Sequence, residues 1–279
     1  RAKHPLLVLQ SARKDEVVPN DIEFGAELRT LVITGPNTGG KTVFLKTAGL
    51  HALMVRTGLL LPAKQGSGIG IFSQVFADIG DEQSLEQNLS TFSSHMGTII
   101  EITRRSGQGT LVLLDEIGAG TDPREGVVLA RVILTCLKNS GALTISSTHY
   151  GDLKTLAHSE SGFANASMEF DDQSLRPTFR LQAGVPGNSH ALEIAKRLGL
   201  PEELVEEAMS ILLSERPPYE IAIEELERRT KVIVDLEIKI RERQDTLERQ
   251  TEFMERKQNE LEKQLVAARD RAATSFDDE

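Results

Sequence analysis

The sequence predicts an α/β fold, a mixed sheet flanked by helices and continued by a long C-terminal helix. Three observations predict it. A short β-branched run, Leu31-Val32-Ile33-Thr34, ends in a glycine-rich loop that opens directly into a helical pattern. A second apolar run, Leu111–Leu114, ends in two acids, Asp115-Glu116. Beyond Pro217-Pro218 the composition turns to Glu, Arg, Lys and Gln, with apolar residues returning at a seven-residue interval.

The elements follow in order. After the strand at 31–34, Val43, Phe44, Leu45, Ala48 and Leu53 mark a helix from Lys41 to about Met54. Gly66 to Ile71 reads as a turn between short strands, and Val75-Phe76-Ala77 leads into a polar stretch, Asp78 to Ser90. A helix is expected from near Thr91. The Leu111–Leu114 strand, a helix over 123–138 and a third strand, Leu143-Thr144-Ile145-Ser146, make a βαβ crossover. Phe163–Phe170 and Thr178–Gln182 read as an antiparallel pair, and 188–198 and 201–213 as helices, with Pro201 suited to a first turn. In the last segment Leu226, Ile233, Ile240, Leu247, Met254 and Leu261 keep the seven-residue interval. The companion stripe is thinner. Leu236 and Leu265 are apolar, but Arg229, Arg243 and Lys257 stand at comparable places. That pattern fits a coiled coil of marginal stability on its own, and a solvated single helix is the alternative.

Composition narrows the function classes. The chain has 279 residues, enough for one substantial core and an appendage. Its single cysteine, Cys136, excludes a disulfide within the chain, fits a reducing compartment, and is expected to be a buried small apolar residue. No apolar run reaches the ~18 residues of a membrane span. The chain starts at Arg1-Ala2-Lys3-His4 with no Met and no signal peptide pattern, as expected of a fragment of a longer protein. A net charge of −10 argues against a protein that grips nucleic acid with its whole surface, while leaving room for local basic patches.

The chemistry is concentrated at strand ends. Gly35-Pro36-Asn37-Thr38-Gly39-Gly40-Lys41-Thr42 matches G-x-x-x-x-G-K-[ST] between a strand and a helix, the context a P-loop requires. Glycines let backbone amides close on phosphate oxygens at a helix N-terminus, where the dipole favours anions. Lys41 can then reach the β- and γ-phosphates of ATP, and Thr42 can ligate Mg²⁺. Asp115 and Glu116 end a buried strand. Asp115 is placed to hold Mg²⁺, directly or through water, and Glu116 to act as general base on the attacking water. His149, just past the third strand, can reach the γ-phosphate and help position that water. Gly118-Ala119-Gly120-Thr121-Asp122 is either a plain glycine turn or a loop coupling two subunits. Ser90 and Thr91 in Asn88-Leu89-Ser90-Thr91-Phe92 are either an N-cap segment or donors to a second subunit's γ-phosphate. His95, His158 and His190 have no ligand-like spacing, so no zinc site is proposed, and no Ser/His/Asp triad stands out.

The order of P-loop, long insert with Ser90, Asp115-Glu116 and His149 resembles ABC ATPases. The details resemble the MutS family: His4-Pro5-Leu6, Gly35-Pro36-Asn37, Ser90-Thr91-Phe92, Asp115-Glu116-Ile117-Gly118 and Thr148-His149-Tyr150. Within it, Thr38 and Thr42, Leu89-Ser90-Thr91-Phe92-Ser93-Ser94-His95-Met96 and Gly118-Ala119-Gly120-Thr121-Asp122-Pro123 resemble the bacterial MutS2 branch. The resemblance implies a P-loop NTPase fold of the ABC/MutS type at 1–216 and, by style alone, a charged coiled-coil segment at 217–279. It implies a homodimer in which Ser90 and Thr91 act in trans, with Asn37 near the γ-phosphate and Val18, Pro19 and Asn20 near the adenine. It also implies a DNA-gripping core and clamp before Arg1 and a nuclease-linked domain after Glu279, so no nuclease activity is expected of these residues. The family's roles include restraining homologous recombination on branched DNA and, for some members, acting on stalled or collided ribosomes through rRNA. The expected setting is the bacterial cytoplasm. Mismatch repair and a dimerisation scaffold with negligible turnover are the remaining alternatives. The complete set of Lys41, Asp115 and Glu116 speaks against the scaffold.

Overall fold

The computed structural model describes residues 1–11, 16–35, 39–80, 88–171, 174, 176–185 and 191–215, and beyond them 229, 232, 233, 236, 239, 240, 243, 244, 247, 254, 257 and 258. The chain divides into two compact units, Arg1–Ile221 and Ala222–Glu279.

In the first unit six strands form one sheet: β1 (Thr30–Thr34), β2 (Gln74–Asp78), β3 (Thr110–Leu114), β4 (Leu143–Ser147), β5 (Phe163–Asp171) and β6 (Arg176–Ala183). Their order is β2-β3-β4-β1-β5-β6. The first five strands run parallel and β6 turns back antiparallel on β5. Helices α2 (Lys41–Arg56), α3 (Asn88–Arg105) and α4 (Pro123–Ser140) make the crossovers between β1, β2, β3 and β4. A parallel strand is buried on both faces, so its side chains alternate between two cores. Val32, Val112 and Leu114 pack with Ile99 and Ile102 of α3 and Ile133, Leu134 and Leu137 of α4. Leu31, Ile33, Leu111, Leu113 and Ile145 pack with Phe44, Leu45 and Ala52 of α2 on the opposite face.

The chain leaves β1 for the sheet edge at β2, returns through β3 and β4, and then crosses to β5 on the far side of β1. This reversal of strand order places a crevice at the carboxyl ends of β1, β3 and β4, where ligands of open α/β sheets bind. Helix α4 is closed at both ends. The Asp122 carboxylate accepts from the Arg124 and Glu125 amides, Pro123 takes a first-turn position, and Gly141 ends the helix at φ 84°.

Three expectations are corrected. Gly66–Ile71 does not separate two strands. The chain before it makes only an isolated bridge, Ala63 to Ala2, and β2 begins at Gln74. Cys136 is exposed, because the inward stripe of Ala130, Ile133, Leu134 and Leu137 turns position 136 outward. The helix near Thr91 already includes Asn88. Of the helix expected over 188–198, the described part is α5 (Ala191–Arg197), followed by α6 (Glu202–Glu215). In the second unit the described residues are helical, and Ile233, Ile240, Leu247 and Met254 are exposed. Leu226, Leu261 and Leu265 lie outside the described residues.

One histidine caps helix α1 (Pro5–Gln10) and another ties its start to the P-loop helix. His4 Nδ1 accepts from the Leu7 amide at 3.3 Å as the N-cap, and buried His51 Nε2 meets the Lys3 carbonyl at 3.0 Å. Burial is the leading cause that lowers both imidazole pKa values. His51 and Lys46 lower that of His4 further, and the Lys3 carbonyl partly offsets the shift at His51. The folded chain therefore holds fewer protons than the unfolded chain, whose histidines titrate near ~6.5. Stability from this pair is complete above that value and is lost as pH falls below it. The thermal midpoint should drop between pH 7.5 and 5.5, and His51→Gln, which keeps a donor for Lys3, should flatten part of that slope. Parallel melting curves with equal pH slopes would remove His51 from the account.

Candidate nucleotide site at the carboxyl edge of the sheet

The P-loop leaves β1 at Gly35, and Gly40, at φ 95°, is the last residue before α2. Pro36, Asn37 and Thr38 lie outside the described residues. Gly35, Gly39 and Gly40 bracket them, and α2 has no side-chain cap and no acid in its first turn. Its N-terminal amides and dipole thus face the crevice without a competing carboxylate of their own. The Lys41 side chain is 1% exposed and its Nζ donates to the Gly35 carbonyl. Burial lowers the Lys41 pKa, against the opposing pull of Glu116 and then Asp115. Both acids therefore lie within electrostatic reach of the P-loop lysine.

Asp115 and Glu116 follow β3 at the same edge. Thr42 Oγ1 donates to Asp115 Oδ2 at 2.6 Å, and the hydroxyl of fully buried Ser147 donates to Asp115 Oδ1. The Glu116 amide donates to Ser147 Oγ at 2.8 Å, and the Ile117 amide to the Ser147 carbonyl at 3.1 Å. Glu116 sits at φ 49°, a left-handed conformation that costs a non-glycine residue about 1–2 kcal/mol. Its hydrogen bonds to β4 hold it there. A hydroxyl and a carboxylate this close, both hard oxygen donors at the edge where phosphates would lie, fit Mg²⁺.

His149 follows β4, exposed, with its ring centroid 4.2 Å from that of Tyr150. Tyr150 in turn donates its hydroxyl to the Gly118 carbonyl at 3.0 Å, and burial, Asp122 and Glu116 raise its pKa. Gly118, at φ 86°, allows no side chain: a Cβ there would meet the Gly126 carbonyl at 2.6 Å. The glycine loop is thereby fastened between His149's neighbour and the start of α4.

Val18, Pro19 and Asn20 are half-buried in the segment before β1. Asn20 bridges to Ala2, donates Nδ2 to the Phe179 carbonyl at 3.0 Å and accepts the Leu181 amide on Oδ1 at 2.7 Å. This amide clamp holds Phe179 at φ 60° with its ring 48% exposed and 3.2 Å from the place of a Gly40 Cβ. An exposed aromatic ring fixed against the last P-loop glycine is a surface for a flat apolar group. Sequence reading missed Phe179, because nothing local in Arg176–Ala183 marks it.

Ser90 and Thr91 fall in the first turn of α3, so Ser90 is inside the helix and is not its N-cap. Further along α3, His95 Nδ1 meets both Asp78 oxygens at 3.0 Å, and the Asp78 carbonyl accepts the Asp115 amide at 2.9 Å. The helix that carries Ser90 is thus fastened to the strand end beside Asp115.

Residues 31–214 match MutS domain V, the ATPase domain of its family. The chain is 58% identical over 228 residues to the Endonuclease MutS2 of Pelotomaculum thermopropionicum, covering 82% of this chain and 28% of that protein. It is 55% identical to the Endonuclease MutS2 of Thermomicrobium roseum over the same shares, 82% and 28%. It is 48% identical over 261 residues to that of Geobacillus thermodenitrificans, covering 94% and 33%. The chain therefore spans about a third or less of the length of these relatives. Among its described residues no helix is long and apolar enough to cross a membrane. With a P-loop lysine, strand-end acids and a six-stranded sheet in these places, the chain belongs to the MutS family, its residues 31–214 forming a MutS domain V of the kind these MutS2 relatives carry.

Proposed function

We propose that this chain is the ATP-binding and hydrolysing engine of a MutS2-type protein of the bacterial cytoplasm, which acts on branched DNA and restrains homologous recombination. The path Thr42–Asp115–Ser147–Glu116 carries the hydrolytic part, because it joins the phosphate-binding helix to both strand-end acids through hydrogen bonds. The P-loop amides and Lys41 hold the phosphates, with Asn37 toward the γ-phosphate. Thr42 and Asp115 hold Mg²⁺, which neutralises charge on the phosphates when bound. Glu116 takes the proton of the attacking water, and His149 orients that water. Val18, Pro19 and Asn20 frame the adenine, and Phe179 stacks on it. Family membership and the relatives' name, endonuclease, support a nucleic-acid target. The net charge of −10 supports a main DNA grip in other parts of the whole protein, and the family resemblance puts any nuclease there too. Titrating the full-length protein with four-way DNA junctions and with ribosomes tests the target. Tighter binding to junctions is expected, and tighter binding to ribosomes would make rRNA the partner.

The proposed homodimer has two contacts. The first is Ser90 and Thr91 completing the partner's nucleotide site, and the second is a coiled coil within 217–279. A Lys41→Ala/Ser90→Ala chain mixed with unmodified chain tests the first. In trans, each mixed dimer carries one defect in each site, and at roughly ninefold excess of the variant about a tenth of the unmodified activity remains by random pairing. In cis, both defects share one site and the other still works. Preserved activity, with mixed dimers shown to form, rules out the composite site.

A further inference from the structure

Ser147 lies at the end of β4, paired through Ile33 to the strand that feeds the P-loop, while its neighbour Ser146 pairs with Leu114 at the end of β3. Its side chain is 0% exposed. In that buried place a hydroxyl makes two different bonds. It donates to Asp115 Oδ1 and accepts the Glu116 amide at 2.8 Å. Its own carbonyl takes the Ile117 amide at 3.1 Å, so three consecutive residues at the end of β3 are fastened to one serine. The fastened backbone includes the left-handed Glu116, φ 49°, which stays in that region only where its surroundings hold it.

The second partner of Asp115 differs in kind. Thr42 Oγ1 holds Oδ2 at 2.6 Å, but it belongs to the P-loop helix and is the hydroxyl that a bound Mg²⁺ would claim. A bound Mg²⁺ would take a lone pair of Thr42 Oγ1, so this hydroxyl would serve the metal and Asp115 at once. Ser147 has no such second duty, because it is sealed from solvent and points its one proton at Oδ1. We infer that Ser147 is the positioning residue of this site: its buried hydroxyl fixes the carboxylate of Asp115 and the backbone of Glu116 in one geometry, so that metal binding and proton acceptance stay in register while Thr42 serves the metal as well. The inference rests on the ATPase reading, and it concerns a residue that the P-loop and acid-pair motifs do not contain.

Ser147→Ala removes one oxygen. It takes a hydrogen-bond donor from Asp115 and leaves the Glu116 amide without its acceptor, a situation that buried backbone avoids. Three readouts decide the role. In the nucleotide-free protein, amide hydrogen exchange at Glu116 should speed up by about tenfold or more once its acceptor is gone. ATP affinity without Mg²⁺ should stay within about threefold, because charge-assisted contacts of Lys41 and the P-loop amides set it. The Mg²⁺ concentration for half-maximal hydrolysis should rise and kcat should fall, together by about 10–100-fold, the scale of lost outer-shell partners. Ser147→Thr restores the hydroxyl on a β-branched residue suited to a strand, and should recover exchange protection and turnover. A merely structural serine would lower the thermal midpoint and the Mg²⁺-free ATP affinity together, and that result overturns the inference. So does a Ser147→Ala chain with unchanged Glu116 exchange and unchanged Mg²⁺ dependence. If the unmodified chain fails to bind or hydrolyse ATP, the ATPase reading fails instead. The Glu116 exchange measurement then still decides whether Ser147 holds that backbone.

Discussion

Lys41→Ala should weaken ATP binding by about 100-fold or more, while Lys41→Met, which keeps the buried stem, should leave the nucleotide-free protein at least as stable as before. The two halves have one physical cause. Lys41 is 1% exposed, and burial is the first cause that depresses its pKa. Burial of the cation thus outweighs the pull of Glu116 and Asp115 in the nucleotide-free fold. A triphosphate adds several negative charges beside that cation. Hydrogen bonds between charged groups contribute about 1.5–3 kcal/mol each, and losing the ammonium removes them together with the Coulomb attraction. Removing the ammonium also removes its desolvation cost from the nucleotide-free fold, which replacement by Met shows most cleanly because it keeps the stem packed. Isothermal titration with ATP and thermal melting without it check both halves. ATP affinity equal to that of the unmodified chain would end the P-loop assignment. Normal binding loss with a sharply lower melting point would mean that Lys41 holds the loop together in addition to the ligand.

What the sequence makes legible here follows from how far apart the interacting residues are. Leu31–Ile33 and Leu111–Leu114 can be read as strands because both faces of a parallel sheet are covered, leaving no polar interruption. β2 is harder to read. It is an edge strand with Gln74 and Asp78 at its ends and no fully buried side chain. The P-loop and the acid pair are legible because their chemistry needs adjacent residues. Ser147 is 32 positions from Asp115, Phe179 is 159 from Asn20, and His95 is 17 from Asp78, so no local spacing announces any of these pairs. A hint existed for Ser147, since a buried polar residue at the end of a central strand needs a partner. None existed for Phe179, whose place depends on a left-handed backbone at φ 60° clamped by a distant asparagine. Cys136 was misjudged for a simpler reason. Composition gives the usual burial of cysteine, but the helical phase of α4 decides the individual case.

Glu116→Gln should keep Mg-ATP binding and slow hydrolysis by at least ~100-fold, the scale of a lost general base. The substitution isolates proton acceptance because the rest of the site is built from other atoms. Glu116 is anchored by its amide to Ser147 Oγ and by its carbonyl, which accepts the Ala119 amide at 3.0 Å. Gln keeps both and tolerates φ 49° as well as Glu does. The Thr42–Asp115 pair, where Mg²⁺ fits, is untouched. Only the ability to take a proton is lost, along with one negative charge beside the phosphates. That charge now attracts Lys41, as its place among the causes of the Lys41 shift shows, and repels a triphosphate. Affinity for ATP should therefore stay equal or become tighter as turnover falls, and a binding defect is not expected. If the composite site is right, the variant should also accumulate as an ATP-bound dimer. Three measurements on one preparation decide: equilibrium ATP binding, phosphate release in a single turnover, and molar mass by light scattering with and without ATP. Tight binding with slow release and a doubled mass fits every part of the assignment. Near-normal phosphate release would show that another group takes the proton. His149, at the end of β4 with its ring on Tyr150, would then be the residue to replace next.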